Sequence, residues 1–182
     1  FKSLQDWERQ ALREAANIDE ETKVFGFVFR NQLRKLVPVL LEAFKDFKEK
    51  NPTAKAKLLL HTSFQEGWPI PRIIQEIGVN PEDVLNTYIC AKCKNYKIQP
   101  YKGEHQDCSV CNTQGSMFTP NPQLGVTEQD LTEIYNIMDF YIHPMTSGGL
   151  EIPLIEALSC GVPIATVDYS CGKEYCKQDF VF

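Results

Sequence analysis

The apolar positions of the chain form two kinds of segment that alternate along most of its length. Short, almost wholly apolar runs predict buried strands, and runs with apolar residues every three or four positions predict helices. The predicted strands cover residues 23–29, 57–61, 84–89, 140–143 and 163–167, and residues 180–182 start another. The predicted helices cover residues 3–16, 36–50, 71–77, 128–137 and 153–159. The alternation predicts βαβ units in a parallel sheet.

Two helices carry further detail. Thr127 is a candidate cap for the helix over residues 128–137, with Asp130 at the capping-box position. The helix over residues 3–16 is expected to be amphipathic, with an apolar side formed by Leu4, Trp7, Ala11, Leu12 and Ala15.

The predicted fold class is α/β, a Rossmann-like, doubly wound parallel sheet with one small insertion. Strands that are apolar throughout fit a sheet that is covered by helices on both faces. Ligands of such sheets bind beyond the carboxyl ends of the strands. The loops after residues 24–29, 57–61, 140–143 and 163–167 are therefore the candidates for a binding site.

Residues 90–118 interrupt the alternation, because they are rich in cysteine, lysine and polar residues. Cys90-x-x-Cys93 and Cys108-x-x-Cys111 are separated by fourteen residues, a spacing that is typical of a structural zinc site. We predict a zinc ribbon over residues 88–118 with these four ligands. Two disulfides, four unrelated thiols and an iron–sulfur cluster are the alternatives. Buried or incidental thiols are expected at Cys160, Cys171 and Cys176.

Composition narrows the class of protein. Of the 182 residues, 43% are hydrophobic and 24% are charged, which is typical of a folded domain rather than a disordered chain. The net charge of −5 argues against nucleic acid as a partner, although Lys92, Lys94, Lys97 and Lys102 cluster near Tyr96 and Tyr101. No apolar run is long enough to be a transmembrane segment, and no secretory signal is visible. We expect a cytoplasmic protein, with peripheral membrane association left open. The chain starts at Phe1 without an initiating Met, which suggests a fragment.

Two loops carry candidate phosphate-binding residues. Arg30 and Lys35 follow the first strand, where two cations five residues apart can flank a diphosphate. A second loop contains Gly148 and Gly149 and leads into the helix that carries Glu156. Adjacent glycines expose backbone N–H groups to a ligand, and a carboxylate within the helix can accept hydrogen bonds from a ribose. An ordinary basic turn and a simple glycine turn are the alternatives.

With these residues in place, the chain resembles the nucleotide-binding C-terminal domain of retaining GT-B glycosyltransferases, the large group-one family. The matching stretches are FGFVFRNQLRK with LLEAF, then LTEIYNIMDFYIHP, then IPLIEALSCGVPIATVDYSCGKEY. The resemblance implies a donor-binding domain over residues 1–182, with the ribbon inserted in it. It also implies a nucleoside-diphosphate sugar as donor, and an N-terminal acceptor domain that lies outside this chain. An isolated donor-binding domain of this kind is expected to bind the donor without catalysing transfer.

The resemblance also implies roles for single residues. Arg30 and Lys35 match the basic pair that neutralises the donor diphosphate, and Glu156 matches the second glutamate of the paired-glutamate motif, which holds the ribose. The first glutamate of that motif, which contacts the donor sugar, falls on Gly148, and Glu151 is a candidate replacement three positions later. Phe29 stands where the family has a glycine. The substrate-binding candidates are Ser147, Gly148, Gly149, Leu150 and Glu151.

Three interpretations of function follow. The first is the donor-binding part of a hexosyltransferase that works with retention. The second is a non-catalytic module that binds a nucleotide sugar, with Gly148 marking the loss of catalysis. The third is a zinc-ribbon domain that binds a protein or a nucleic acid. The first two predict nucleotide binding that depends on Glu156, and the third does not.

Overall fold

The computed structural model describes residues 1–169 and 172–175. In this part of the chain, eight strands form one mixed sheet whose main path has the order β5-β6-β3-β2-β1-β7-β8, and β4 pairs with β3 outside that path. The strands are β1 Lys23–Val28, β2 Ala56–His61, β3 Val84–Cys90, β4 Tyr96–Pro100, β5 Gln106–Cys108, β6 Thr113–Phe118, β7 Phe140–His143 and β8 Ile164–Thr166. The helices are α1 Asp6–Ala15, α2 Val37–Lys50, α3 Ile70–Ile77, α4 Glu128–Ile137, α5 Ile152–Ser159 and α6 Gly172–Tyr175.

Five neighbouring strands, in the order β3-β2-β1-β7-β8, are parallel, which confirms the predicted α/β class. The chain builds outward from β1 to β2 and β3 and then returns to place β7 on the other side of β1. The strand order therefore reverses between β1 and β7. In open parallel sheets this reversal leaves a crevice at the carboxyl ends of the two strands, where ligands bind.

Helices cover both faces of the sheet. Phe25 of β1 packs edge-on against Phe44 and Phe47 of α2. Tyr141 of β7 lies beside Gly26 in the register and packs against Tyr135 of α4. Because successive residues of a strand point to opposite faces, α2 and α4 lie on opposite sides of the sheet. One large cluster of buried apolar residues joins these elements into a single core.

Two elements have the bounds that the sequence pattern predicts. The helix predicted over residues 128–137 has those bounds, and the capping box is present, since the Thr127 side chain accepts from the Asp130 N–H and the Asp130 carboxylate accepts from the Thr127 N–H. The strand predicted over residues 140–143 also has its predicted bounds.

The first helix is shorter than predicted and docks differently. It runs from Asp6 to Ala15, and of the predicted apolar side Leu12 packs against the core whereas Trp7 is 71% exposed and Ala11 and Ala15 are exposed. Buried Arg13 instead donates to Asp139, and Arg9 donates to the same carboxylate. Polar groups beyond α4 therefore fix this helix, which is why its apolar periodicity was a poor guide to burial.

The segment without periodicity, residues 90–118, contains three strands that the sequence did not predict. Strands β4 and β6 both pair antiparallel with β3, and β5 pairs with β6. The segment therefore extends the edge of the main sheet. Three predictions, the strand starting at residues 180–182 and the thiols Cys171 and Cys176, lie outside the described residues.

Candidate functional site

The loops that follow β1 and β7 meet at the point where the strand order reverses. After β1, a short 3-10 turn over Leu33–Lys35 ends at Leu36, whose left-handed conformation (φ 37°) turns the chain into α2. After β7, residues 144–151, which we call the glycine loop, lead into α5. The Thr146 N–H donates to the Arg34 carbonyl oxygen at 3.0 Å, so the two loops are in direct contact.

A buried ion pair lies beneath this contact. The Lys35 Nζ is 2.7 Å from Glu151 Oε2 and 2.9 Å from His143 Nε2. All three residues are buried, with exposed fractions of 3% for Lys35, 7% for Glu151 and 0% for His143. Together with Arg34, described below, they form what we call the switch-point cluster. A buried charge needs a partner of this kind, because its desolvation is otherwise too costly.

The hydrogen bonds assign the protonation of the cluster. Burial and, after it, the neighbouring Lys35 charge lower the pKa of His143 to about 4, so the imidazole is neutral near pH 7. The Tyr141 hydroxyl donates to the Val28 carbonyl oxygen at 3.0 Å and therefore accepts from His143 Nδ1, also at 3.0 Å. With its proton on Nδ1, His143 offers Nε2 as an acceptor to Lys35.

Glu151 is held as a carboxylate. Burial alone would raise its pKa, but hydrogen bonds from Lys35 and Arg34 keep the pKa below its ordinary value. Arg34 Nη1 donates to Glu151 Oε1 at 3.0 Å and to the Ser147 carbonyl oxygen at 2.8 Å. The Arg34 side chain, unlike Lys35, is 41% exposed. Glu151 thus joins one buried and one exposed cation.

Gly148 lies against this carboxylate. A Cβ atom built there would meet the Glu151 carboxylate at a distance that no real Cβ contact shows, and it would lie 2.8 Å from the Met145 Sδ. A side chain at position 148 and the observed placement of Glu151 are therefore incompatible. Gly149, by contrast, has open space around its Cβ position.

The structure brings two of the sequence-predicted residues, Lys35 and Glu151, into contact and places the others around them. The Arg30 side chain is 67% exposed, and its Nε lies 3.7 Å from Glu66 Oε2. Glu156 is half-buried on α5 and accepts a hydrogen bond from the Tyr135 hydroxyl at 2.8 Å. Ser147, Gly149 and Leu150 are exposed on the glycine loop, and Gly148 is half-buried.

A cleft of about 400 Å³ opens beside Arg30, at the carboxyl ends of β1 and β2. One wall comes from Arg30 and Asn31, a second from residues 61–63 with Glu66, and a third from the segment after β6, which includes Pro120 and Asn121. The cleft therefore lies between the switch point and the cysteine-rich segment.

Three residues of the site had no role in the sequence analysis. Arg34 lies between the two basic candidates without being one of them, and His143 and Tyr141 belong to the strand predicted over residues 140–143. Their partners lie far away in sequence, since Lys35 and His143 are 108 residues apart. The one signal available was the position of His143 as the last residue of a strand, at the edge where ligands bind.

The four cysteines of the predicted ribbon converge beside β3, β5 and β6, on the side of the sheet away from β8. Their sulfur atoms all lie within 4.8 Å of one another, with 3.6 Å between Cys90 and Cys111 and 3.7 Å between Cys93 and Cys108. Tetrahedral zinc with Zn–S bonds of about 2.3 Å separates its sulfurs by about 3.8 Å, so the donor set fits such an ion. All four are free thiols, as is buried Cys160, which argues against the disulfide alternative.

The two cysteine pairs share a local geometry. The residue after each pair, Lys94 and Asn112, has a positive φ, 63° and 53° respectively. The Cys93 N–H donates to Cys90 Sγ, and with the Ser116 hydroxyl it lowers the pKa of the Cys90 thiol to about 6, whereas desolvation and the neighbouring sulfurs raise the pKa of the Cys93 thiol to about 12. Thiolates are the form in which cysteines bind metal.

None of the helices in the described residues has the length and apolar character to cross a membrane.

Residues 123–181 match the family model described as glycosyl transferases group 1. The matched range includes the glycine loop, Glu151 and Glu156, and it excludes Arg30 and Lys35. No curated protein sequence matches the chain.

Solved structures that are similar to the chain include several glycosyltransferases. WaaG, a glycosyltransferase involved in lipopolysaccharide biosynthesis, superposes with a TM-score of 0.61 at 16% identity over 94% of this chain. The C-terminal domain of a group 1 family glycosyl transferase (LpcC) from Francisella tularensis gives a TM-score of 0.57 at 12% identity over 92% of this chain and 67% of its own. Sucrose-phosphate synthase from Thermosynechococcus elongatus gives 0.56 at 16% identity over 94% of this chain.

This chain spans about a third of the two larger proteins, 35% of WaaG and 33% of the synthase. At these identities the similarity establishes the fold. The chain therefore has the Rossmann-like fold of GT-B glycosyltransferase structures, and its residues 123–181 carry the sequence pattern of glycosyl transferases group 1.

Proposed function

We propose that this chain is the donor-binding domain of a glycosyltransferase and that a nucleoside-diphosphate sugar binds at the switch point. The observation that carries the proposal is the position of the family-like segment. Its glycine loop and α5 lie beside the carboxyl end of β1, at the reversal of strand order, where parallel sheets bind ligands. Residues 1–182 then form one donor-binding domain, with residues 88–118 as an insertion.

In this proposal the site stabilises the departing diphosphate by electrostatics. Negative charge develops on the leaving oxygen during transfer, and fixed cations and N–H groups around it lower the barrier. Arg30, Lys35 and the N–H groups near Gly148–Leu150 are the groups to do this, with Glu156 holding the ribose. Ser147, Gly148, Gly149, Leu150 and Glu151 then line the donor. The reaction that we propose is transfer of a hexosyl group with retention, in a protein that supplies the acceptor site on a further domain.

We also propose that zinc occupies the four-cysteine site and has a structural role. Four protein ligands close the coordination shell, so the metal has no open position for a substrate. Thiols that are kept for metal binding are typical of a reducing compartment, and we therefore propose a cytoplasmic location.

Calorimetric titration of the chain with UDP, GDP and ADP tests the donor site. We expect one of them to bind, and we expect Glu156→Gln to weaken binding about tenfold or more, because a charged acceptor is lost from the ribose. The matched control is Glu42→Gln on α2, an exposed helical glutamate outside the site, which should leave the dissociation constant unchanged.

Two results would count against the proposal. If none of the three nucleotides binds to the zinc-loaded chain, the donor-binding function is wrong for this domain. If one binds equally well to the Glu156→Gln variant, the nucleotide does not sit on α5. Binding of a protein or nucleic acid that depends on Lys94 and Lys97, with no nucleotide binding, would favour the third interpretation.

A further inference from the structure

The switch-point cluster contains more cations than carboxylates. It contains two cations, Lys35 and Arg34, and one carboxylate, Glu151, while His143 is neutral. These four residues therefore hold one more cation than carboxylates. Arg34 is the cation that a ligand can reach, because its side chain is 41% exposed and that of Lys35 is 4% exposed.

Arg34 is also held in place from both ends. Its carbonyl oxygen accepts from the Thr146 N–H, and its Nη1 donates both to the Ser147 carbonyl oxygen and to Glu151 Oε1. Its Nε donates to the Gln32 side chain at 3.1 Å. A guanidinium held in this way is fixed beside the buried carboxylate while its side chain remains 41% exposed.

We infer that Arg34 is a donor-binding residue that contacts the diphosphate beside Arg30 and Lys35. The inference rests on the proposed function and adds to it a residue outside the Arg30 and Lys35 pair. Arg34 suits this part chemically, because its Nε and Nη1 hold the guanidinium in place while its Nη2 N–H groups make no hydrogen bond within the described residues and can donate to phosphate oxygens. Glu151, which both cations share, orients the guanidinium.

A purely structural role for Arg34 makes different predictions. If Arg34 only tied the two loops together, its loss would lower the melting temperature and weaken every ligand of the site alike. If it contacts the diphosphate, its loss should weaken ligands that carry phosphates and leave the corresponding nucleoside unaffected. Binding to phosphates should also lose part of its dependence on salt concentration.

The test is calorimetric titration of the chain and of Arg34→Gln, Arg34→Lys and Arg72→Gln. Each protein is titrated with the nucleoside diphosphate that binds and with the corresponding nucleoside. Arg72 is the matched control, since it is an exposed arginine on α3, paired with Glu76 four residues later. We expect Arg34→Gln to weaken the diphosphate about tenfold or more. We expect Arg34→Lys to recover part of that loss, and Arg72→Gln to show none.

The outcomes separate the inference from the proposed function. An unchanged dissociation constant of the diphosphate in Arg34→Gln would overturn the inference while leaving the donor site in place. An equal loss for diphosphate and nucleoside, with a lowered melting temperature, would assign Arg34 a structural role and also overturn it. If no nucleoside diphosphate binds to the unsubstituted chain, the proposed function fails, and the inference fails with it.

Discussion

The switch-point cluster and the cysteine-rich segment, residues 90–118, belong to the same sheet but are stabilised differently. The cluster lies among parallel strands that a large apolar core covers on both faces. The cysteine-rich segment has only a small apolar cluster, formed by its residues Cys90, Cys108 and Met117 with Tyr88 of β3. A rigid core can hold buried charges in place, whereas a segment with little core needs an additional constraint such as a metal.

We expect the switch-point cluster and the cysteine-rich segment to have different roles. The core fixes Lys35, Glu151 and His143 well enough to keep a lysine and a glutamate almost out of water. The cysteine-rich segment brings four thiols together. It is followed in the chain by Pro120, Asn121, Pro122 and Gly125, which form one wall of the cleft. We therefore expect the first region to bind the donor and the second to give the cleft its shape.

Removal of the metal should have the largest effect on stability, and that effect should be confined to residues 90–118. Structural zinc contributes about 10–16 kcal/mol in small zinc-binding peptides, so a chelator or Cys108→Ser should unfold residues 90–118 locally. Hydrogen exchange should show protection lost there and kept in β1 and β2. Cys160→Ser, which alters a buried cysteine outside the cluster, should leave the zinc content unchanged. Unchanged protection across the segment would contradict the zinc assignment.

Breaking the buried ion pair should have the second-largest effect on the free energy of unfolding. Glu151→Gln leaves the Lys35 charge without its carboxylate in a buried place, which costs about 3–5 kcal/mol of the free energy of unfolding. Urea denaturation measures this cost. The matched control is Glu49→Gln, which removes an exposed pair with Lys45 on α2 and should cost about 0.5 kcal/mol or less. Similar losses in the two variants would show that the Lys35–Glu151 pair is not buried as described.

A glutamate introduced at position 148 should destabilise the chain unless Glu151 is also changed. Gly148→Glu puts a side chain against Glu151 and Met145, and overpacking of this kind costs about 1–3 kcal/mol. Gly149→Glu, at the neighbouring open position, should change the free energy of unfolding by about 0.5 kcal/mol or less. The double variant Gly148→Glu with Glu151→Gly should be more stable than the sum of the single changes. Simple additivity would contradict the idea that the two positions compete for one space.

Acid should weaken the core region gradually. Burial lowers the pKa of His143 to about 4, and burial lowers that of His61 to about 4 as well. Between pH 4 and 6.5 the unfolded chain therefore binds protons that the folded chain does not, so stability rises with pH in this window and levels off above it. Each histidine contributes at most about 1.4 kcal/mol per pH unit.

Glu151 acts in the same direction at lower pH. Its pKa is lowered in the folded state, so its contribution is present above the ordinary pKa of a glutamate and is lost as the pH falls below it. Urea denaturation at several pH values, with NMR titration of the histidine ring signals, checks the window. A stability that stays constant from pH 7 to pH 4.5 would contradict the buried, neutral state of both histidines.

The sequence predicted those parts of the fold that depend on local pattern. Helix α4 has its predicted bounds and cap, because the capping box and the apolar periodicity are both local signals. Strands β4, β5 and β6 were missed, because they are stabilised by pairing with β3 and with each other rather than by an apolar face of their own. The exposure of Trp7 was missed because the Arg13–Asp139 pairing, which docks α1, has no signature in the spacing of apolar residues.

The candidate site likewise has parts that local sequence predicts and parts that depend on how the chain folds. The cysteine spacing is local, and it predicted four residues whose sulfurs do converge. The glycine loop and the basic residues after β1 were found as separate local features. Their meeting through Lys35, Glu151 and His143 depends on the strand order, which brings residues more than 100 positions apart into contact. The role that we infer for Arg34 rests on its exposure beside the buried pair, which the sequence alone does not give.

The most direct test of the central claim is a hydrogen-exchange footprint of the nucleoside diphosphate on the zinc-loaded chain. We predict slower exchange in the loop after β1, residues 29–36, and in the glycine loop with the start of α5, residues 144–156. Strands β4 and β5 of the cysteine-rich segment should exchange as before. Protection confined to the cysteine-rich segment, with none at the switch point, would contradict the account.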